Sequence, residues 1–297
     1  MKILVYGSKG WIGGLFMDYV KSIKDPEKSI TLIEGKCRID SDELANELTF
    51  TEPTHVISFI GRTHGTLDSG DKVNSIDYLE YPGKLVENIR DNLYSPIILA
   101  DLCTKYGIHY TYLGTGCIFN SQHTTFDEES LPNYFGSSYS IVKGFTDRMM
   151  HSRDVLNLRI RMPISSIPNS RNFITKILGY SKICSIPNSM TVLDDFFPIF
   201  IDLMERKATG TYNCTNPGKI SHNEILTEYC ELIDPHIHWE NMSLEEQSKL
   251  LKSDRSNNEL ETTKIKLEYP DLKNIHDSMT DILLKMKKIM FVDYHGL

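Results

Sequence analysis

The first half of the chain alternates short apolar runs with longer segments in which apolar residues recur every three or four positions. Lys2–Tyr6 (KILVY) is apolar after its first residue, as a strand buried on both faces requires. Beyond it, Ile12, Leu15, Phe16, Tyr19 and Val20 share one side of a helix that begins at Trp11 and ends near Lys24. Ser29–Ile33 reads as a second strand, Asp42–Leu48 as a helix and His55–Phe59 (HVISF) as a third strand. A long helical region follows, broken near Pro82 and Asn92 and ended by Gly107, before a strand at Tyr110–Leu113. A helix over Ser137–Met150 then precedes a strand at Val155–Arg161. Strands separated by helices of this length make βαβ units, so the pattern predicts an α/β fold with a Rossmann-like, doubly wound parallel sheet.

From Pro163 onward the regular alternation fails. Asn172–Leu178, Met190–Leu193, Ser221–Ile233, Leu244–Leu251 and Ile275–Met286 are short elements set among prolines. They predict a smaller C-terminal lobe over the carboxyl edge of the sheet, where open α/β sheets take their ligands. The expected division is residues 1–162 and 163–297, interleaved as one structural unit.

Composition and charge narrow the picture by exclusion. With 297 residues the chain can bury a full core, and its net charge of −8 argues against a nucleic-acid or anionic-membrane surface. No apolar run reaches the ~20 residues of a membrane span, and the start of the chain lacks the pattern of a signal peptide. Six cysteines are scattered without zinc spacing, so reduced thiols in the cytoplasm are expected. His64, His123, His236 and His238 have no partners at ligand spacing, and no metal is expected.

Candidate chemistry begins directly after the first strand. Gly7-Ser8-Lys9-Gly10-Trp11-Ile12-Gly13 opens the first helix, where glycines let the backbone turn sharply and approach a pyrophosphate. Gly7, Ser8, Gly10, Trp11, Ile12 and Gly13 are therefore candidate dinucleotide-binding residues, and 1–162 reads as a dinucleotide-binding domain. After the second strand come both Glu34, suited to a free ribose hydroxyl, and Arg38, suited to a 2′-phosphate. Arg38 with Lys36 tilts the expectation towards NADPH, with NADH the alternative.

Tyr139 and Lys143 stand four residues apart, on one face of a helix. A phenol titrates near ~10, and a neighbouring ammonium favours its phenolate, which makes the pair a candidate proton donor and acceptor. Thr115, at the end of the fourth strand, can hydrogen-bond a substrate carbonyl beside the tyrosine.

Together these features resemble the extended short-chain dehydrogenases/reductases, and more closely the dTDP-4-dehydrorhamnose reductase branch. The nearest resemblance is to the C-terminal, 3,5-epimerase/4-reductase half of plant rhamnose synthases. It is carried by Gly10–Gly14 (GWIGG), Thr115–Phe119 (TGCIF), Arg161–Ser166 (RMPISS), Arg171–Lys176 (RNFITK), Ile186–Asp194 (IPNSMTVLD), Thr215–Leu226 (TNPGKISHNEIL) and Arg255–Glu259 (RSNNE), which span nearly the whole chain. Two segments depart from the plant pattern: Gly61-Arg62-Thr63-His64 replaces Gly-Arg-Pro-Asn, and the loop after Phe119 is shorter.

The resemblance implies that Tyr139 and Lys143 are the reductase pair with Thr115 as their partner. It makes Cys117 and Lys176 the epimerase acid/base pair, and places Asn172 and Phe173 at the sugar or uracil pocket and Arg255 near the nucleotide diphosphate. It further implies a UDP-linked 4-keto-6-deoxyglucose substrate supplied by a separate UDP-glucose 4,6-dehydratase, and a homodimer. The chemistry is coherent. A C4 ketone acidifies C3–H and C5–H, inversion needs groups on both ring faces, and a thiol titrating near ~8.5 is within reach of neutrality. The alternatives are a reductase acting on a sugar already epimerised, a GDP-fucose-synthase-like epimerase/reductase, and a non-catalytic binding subunit.

Overall fold

The computed structural model describes residues 1–25 and 29–294, with side chains to 291; residues 26–28 and 295–297, which belong to the two expected lobes, lie outside the described residues. A six-stranded, wholly parallel sheet forms the centre. Its strands are β1 (Lys2–Tyr6), β2 (Thr31–Glu34), β3 (His55–Ser58), β4 (His109–Thr115), β5 (Leu156–Ile160) and β6 (Gly210–Asn213). They lie in the spatial order 2-1-3-4-5-6, so the winding reverses between β1 and β3 and leaves a crevice at their carboxyl ends.

Helices α1 (Trp11–Ser22), α2 (Leu44–Thr51), α3 (Lys84–Ile89), α4 (Ser95–Tyr106) and α5 (Ser138–His151) connect the first five strands. The break expected near Pro82 separates a 3₁₀ turn, Ile76–Glu80, from α3. The one near Asn92 is a π-helical turn, Arg90–Tyr94. Asn92 causes a contact there, because its amide bridges the backbone N–H and carbonyl of Arg62 at 3.0 and 2.8 Å. The start of α5 is set by Ser137, whose hydroxyl accepts from Ser140 N–H at 3.1 Å.

The expectation that alternation ends at Pro163 is corrected. After α6 (Phe173–Leu178), helix α7 (Leu193–Glu205) crosses back to the large sheet and feeds β6. Eight of its side chains, from Leu193 to Met204, are buried, and Phe197 meets Phe16 of α1 edge-on with ring centroids 5.8 Å apart. Its outward positions, Asp194, Asp195, Pro198, Asp202 and Glu205, recur at helical spacing, but Pro198 lies inside it, where a proline reads as a helix break. The lobes therefore divide less simply than 1–162 and 163–297, since residues 193–213 rejoin the sheet.

The smaller lobe has its own core of Ile164, Ile174, Met190, Val192, Ile225, Tyr229 and Met279. It contains α8 (His222–Leu232), α9 (Leu244–Leu250) and α11 (Ile275–Tyr294), while α10 (Thr263–Glu268) packs beside β6. Among the described residues no helix is long and apolar enough to cross a membrane.

Candidate active site

The turn from β1 into α1 tolerates only glycine at two points. Gly7 has φ +77°, and a Cβ there would stand 2.9 Å from the carbonyl carbon of Phe59. At Gly13 a Cβ would stand 2.2 Å from the Gly7 carbonyl oxygen. Gly10 caps α1 with no side-chain bond, so the first-turn N–H groups have no side chain in front of them. Half-buried Trp11 and Ile12 follow, and the Trp11 Nε1–H is buried without a partner among the described residues. A close backbone approach, open N–H groups and an orphaned donor together fit a dinucleotide. Two side chains of opposite sign stand at and just after the end of β2. Ser8 Oγ donates to Glu34 at 3.2 Å, while exposed Arg38 is forked onto Asp40, with both bonds at 2.9 Å.

At the carboxyl end of β4, the hydroxyl of buried Thr115 lies near the phenol of Tyr139 and favours its ionised form. Thr115 Oγ1 also accepts from the Cys117 N–H at 3.1 Å, which turns the chain so that Thr115 and Cys117 face the same space. One part of the sequence expectation is corrected here. Lys143 does not acidify Tyr139. Its buried ammonium donates to the Tyr112 hydroxyl and, at 3.4 Å, to the Leu113 carbonyl, and stands 4.5 Å over the Tyr112 ring. Burial pushes the Tyr139 phenol well up, Cys117 pushes it further, and Thr115 alone opposes. Tyr139 is therefore a protonated donor at neutral pH. Burial lowers Lys143 to about 7, against the pull of Asp147 and Cys117.

The remaining candidates come from the smaller lobe. Lys176 of α6 is lowered first by burial and then by the charges of Arg171 and Arg255, so it sits in a basic cluster. His64, from the segment after β3, bonds Arg171 and is held down to about 4 by burial and by Arg171, Arg62 and Lys176. Arg255 donates to Asp77 Oδ2 at 2.8 Å, joining the lobe to the first half of the chain and holding Asp77 down at about 2. A cavity of about 220 Å³ opens beside Arg255, between Tyr134 and α9. Phe173 lies against His222, with ring centroids 5.1 Å apart. Asn172 is placed differently from expectation. Its amide is fully buried, donates to the Ser165 and Ile167 carbonyls at 2.6 and 3.1 Å and accepts from Ile174 N–H at 3.3 Å, so the side chain caps α6 instead of facing a pocket.

The sequence reading missed Tyr112, Arg161, His64 and Asp77. Tyr112 and Arg161 are wholly buried, and nothing in a mid-strand tyrosine or an arginine after a strand announces the partner it meets. His64 carried a signal, since it stands where the sequence departs from the plant pattern.

A parallel sheet with a glycine cradle after β1 and a Thr–Tyr–Lys group at the end of β4 defines a Rossmann-type ketone reductase. No family model matches the chain. It is 50% identical over 296 residues to the uncharacterised protein L780 of Acanthamoeba polyphaga mimivirus, covering 97% of this chain and 99% of that one. A crystal structure described as the L780 UDP-rhamnose synthase superposes with a TM-score of 0.90, covering 96% and 99%. An Arabidopsis thaliana bifunctional dTDP-4-dehydrorhamnose 3,5-epimerase/reductase is 40% identical over 295 residues, which is 96% of this chain and 93% of the relative. A trifunctional Arabidopsis thaliana enzyme that also carries UDP-glucose 4,6-dehydratase activity is 41% identical over 289 residues, but the chain spans only 41% of its length. The chain belongs to the family of 3,5-epimerase/4-keto-reductases of rhamnose synthesis.

Proposed function

We propose that the protein converts UDP-4-keto-6-deoxy-D-glucose to UDP-L-rhamnose by inverting C3 and C5 and then reducing the C4 ketone with NADPH. The observation that supports this is the nearness of Thr115, Cys117 and Tyr139 at the end of β4, two hydroxyls and a thiol suited to one carbonyl. Epimerisation and reduction both pivot on O4, so one set of donors serves both.

Tyr139 and Thr115 hold the ketone oxygen. Cys117 takes a proton from carbon next to the carbonyl, and Lys176 returns one on the opposite ring face. Its lowered basicity makes the Lys176 ammonium a readier acid. Once both centres are inverted, Tyr139 gives its proton to O4. When bound, NADPH supplies the hydride for C4. The cradle of Gly7, Gly10 and Gly13 takes its pyrophosphate, with Ser8, Trp11 and Ile12 alongside, and Arg38 takes its 2′-phosphate. NADH is the poorer alternative, served by Glu34. Lys143 would hold the bound cofactor from α5, in exchange for its present bonds to Tyr112 and the Leu113 carbonyl. Arg255 and the Arg171–Lys176 cluster take the diphosphate, and Phe173 lines the pocket.

Another polypeptide with 4,6-dehydratase activity supplies the keto-sugar. The protein works as a homodimer through α3 and α5, which pack together and expose Val86 (71%), Phe145 (60%), Ile89 and Met149. Sedimentation of Phe145→Glu tests this, with a monomer expected.

Incubation with UDP-4-keto-6-deoxyglucose and NADPH in deuterated water, followed by NMR, tests the activity. Deuterium at both C3 and C5 of a rhamnosyl product is expected. Turnover without deuterium at these carbons would leave a reductase alone.

A further inference from the structure

We propose that Arg161 holds Cys117 as a thiolate, which makes it the positioning residue of the epimerase chemistry. This rests on the reading above that Cys117 removes the ring proton. Arg161 follows β5 directly, and its side chain is fully buried. A buried cation is unfavourable unless an anion lies against it. Arg159, two residues earlier and equally buried, obeys that rule, since Asp147 accepts from its Nε and Nη2 at 2.9 and 2.7 Å. Arg161 has no carboxylate partner among the described residues.

Its hydrogen bonds go instead to neutral acceptors. Nη1 donates to Ser256 Oγ at 2.8 Å, and Nη2 to the Ser256 carbonyl at 2.7 Å and to Asn188 Oδ1. Its Nε is buried without a partner. The ionisable groups that sustain its charge against burial are Cys117 and Tyr134. The Cys117 sulfur lies 3.6 Å from Nη1. The Tyr134 phenol is pushed up by burial and stays neutral, and His222, held down at about 4, is neutral as well. The other groups that face Cys117 are Tyr139, also neutral, and Lys143, whose ammonium is spent on Tyr112 and the Leu113 carbonyl. Among the described residues, the sulfur is thus the neighbour able to supply the missing negative charge. Asn188 and Ser256 fix the guanidinium fork towards it, a geometry that lysine's point charge cannot reproduce.

The protons balance at each inverted centre, and exchange with solvent returns the thiolate and the ammonium before the next. A C–H bond beside the ketone breaks, an S–H bond forms at Cys117, and the electron pair moves to O4. On the other face an N–H bond of Lys176 breaks as the electron pair returns to carbon and a new C–H bond forms. Arg161 keeps its protons throughout.

The test reads the sulfur without requiring turnover. Alkylation of the intact protein by iodoacetamide across a pH series, with Cys117 followed by peptide mass spectrometry, gives the midpoint of thiolate formation. The wild-type midpoint is expected below the ordinary thiol value of ~8.5. In Arg161→Gln it rises by about one unit or more, so labelling near neutrality slows about tenfold. Arg161→Lys falls between the two, and Lys143→Met, which removes the other nearby cation, moves the midpoint less. A wild-type midpoint at or above the ordinary value, or one that does not move in Arg161→Gln, overturns the proposal. If Arg161→Gln does not fold, the ultraviolet thiolate absorbance of wild type minus Cys117→Ser, titrated with pH, decides it alone. Failure of the underlying reading looks different: deuterium would still enter C3 and C5 in Cys117→Ala while the alkylation midpoints behaved as expected.

Discussion

Thr115, Tyr139 and Lys143 come from β4 and α5, adjacent parts of one βα framework, and each is buried or half-buried against the sheet. Lys176, Arg171 and Arg255 come from the smaller lobe and are held over that framework by contacts such as Arg255–Asp77, between residues 178 positions apart. The first group keeps its geometry through local backbone. The second depends on the seating of one lobe upon the other. Cys117 belongs to both, since its backbone is tied to Thr115 while its sulfur meets Arg161. On the function proposed above, the reducing group is drawn from β4 and α5, and the ring-inverting groups lie where the lobes meet.

The largest expected effect comes from breaking the framework group. Tyr139→Phe removes the proton donor and should lower NADPH consumption by about 10³–10⁴-fold while the nucleotide still binds; a tenfold loss or less would remove Tyr139 from the chemistry. Cys117→Ala separates the two groups. Deuterium entry at C3 and C5 should fall by about 10²-fold or more, while reduction of a sugar already epimerised stays within a few-fold of wild type. Equal losses in both assays would mean that the two groups are not separable.

Lys143 gives a test of burial in the framework. Its titration lies at about 7 in the folded chain and at 10.5 in the unfolded one, so between those values the unfolded chain binds the extra proton. Stability therefore rises with pH over that interval, by at most ~1.4 kcal/mol per pH unit for this group, and is lost as pH falls through the folded value. Lys143→Met lacks this slope. Denaturant unfolding of cofactor-free protein should show wild type gaining on the variant from neutral to alkaline pH, and parallel curves would contradict the burial. The smallest effect is expected where the lobes meet. Asp77→Asn weakens the hold on Arg255 and should raise KM for the nucleotide sugar about five- to tenfold with kcat little changed. A loss confined to kcat would place Asp77 in the chemistry instead.

The framework group was legible because its signals are local. A glycine turn after an apolar strand, a threonine at a strand end and a tyrosine one helical turn before a lysine are patterns within a few residues of one another. Yet the direction of Lys143 was not legible. Four-residue spacing puts two side chains on one face of a helix but does not say which of them finds a partner on the neighbouring strand, and Tyr112 captures the ammonium. Asn172 failed for a related reason, because a residue before a helix can serve a cap or a pocket with the same sequence around it. Helix α7 escaped notice because Pro198 stands inside it, where a proline reads as a break in spite of the helical spacing of its acidic residues.

The amino-acid sequence by itself determined the parallel sheet and the family and offered the glycine turn, Thr115, Tyr139 and Lys143 as candidates, all of which rest on apolar periodicity and short contiguous motifs. Only the tertiary structure decided that Arg161 lies against Cys117 without a carboxylate, that Lys176 joins a basic cluster with Arg171 and His64, and that residues 193–213 return to the sheet. The physical reason is separation. Arg161 meets Cys117 across 44 residues and Ser256 across 95, and over such distances it is the packing of whole elements that decides which charges share a buried space.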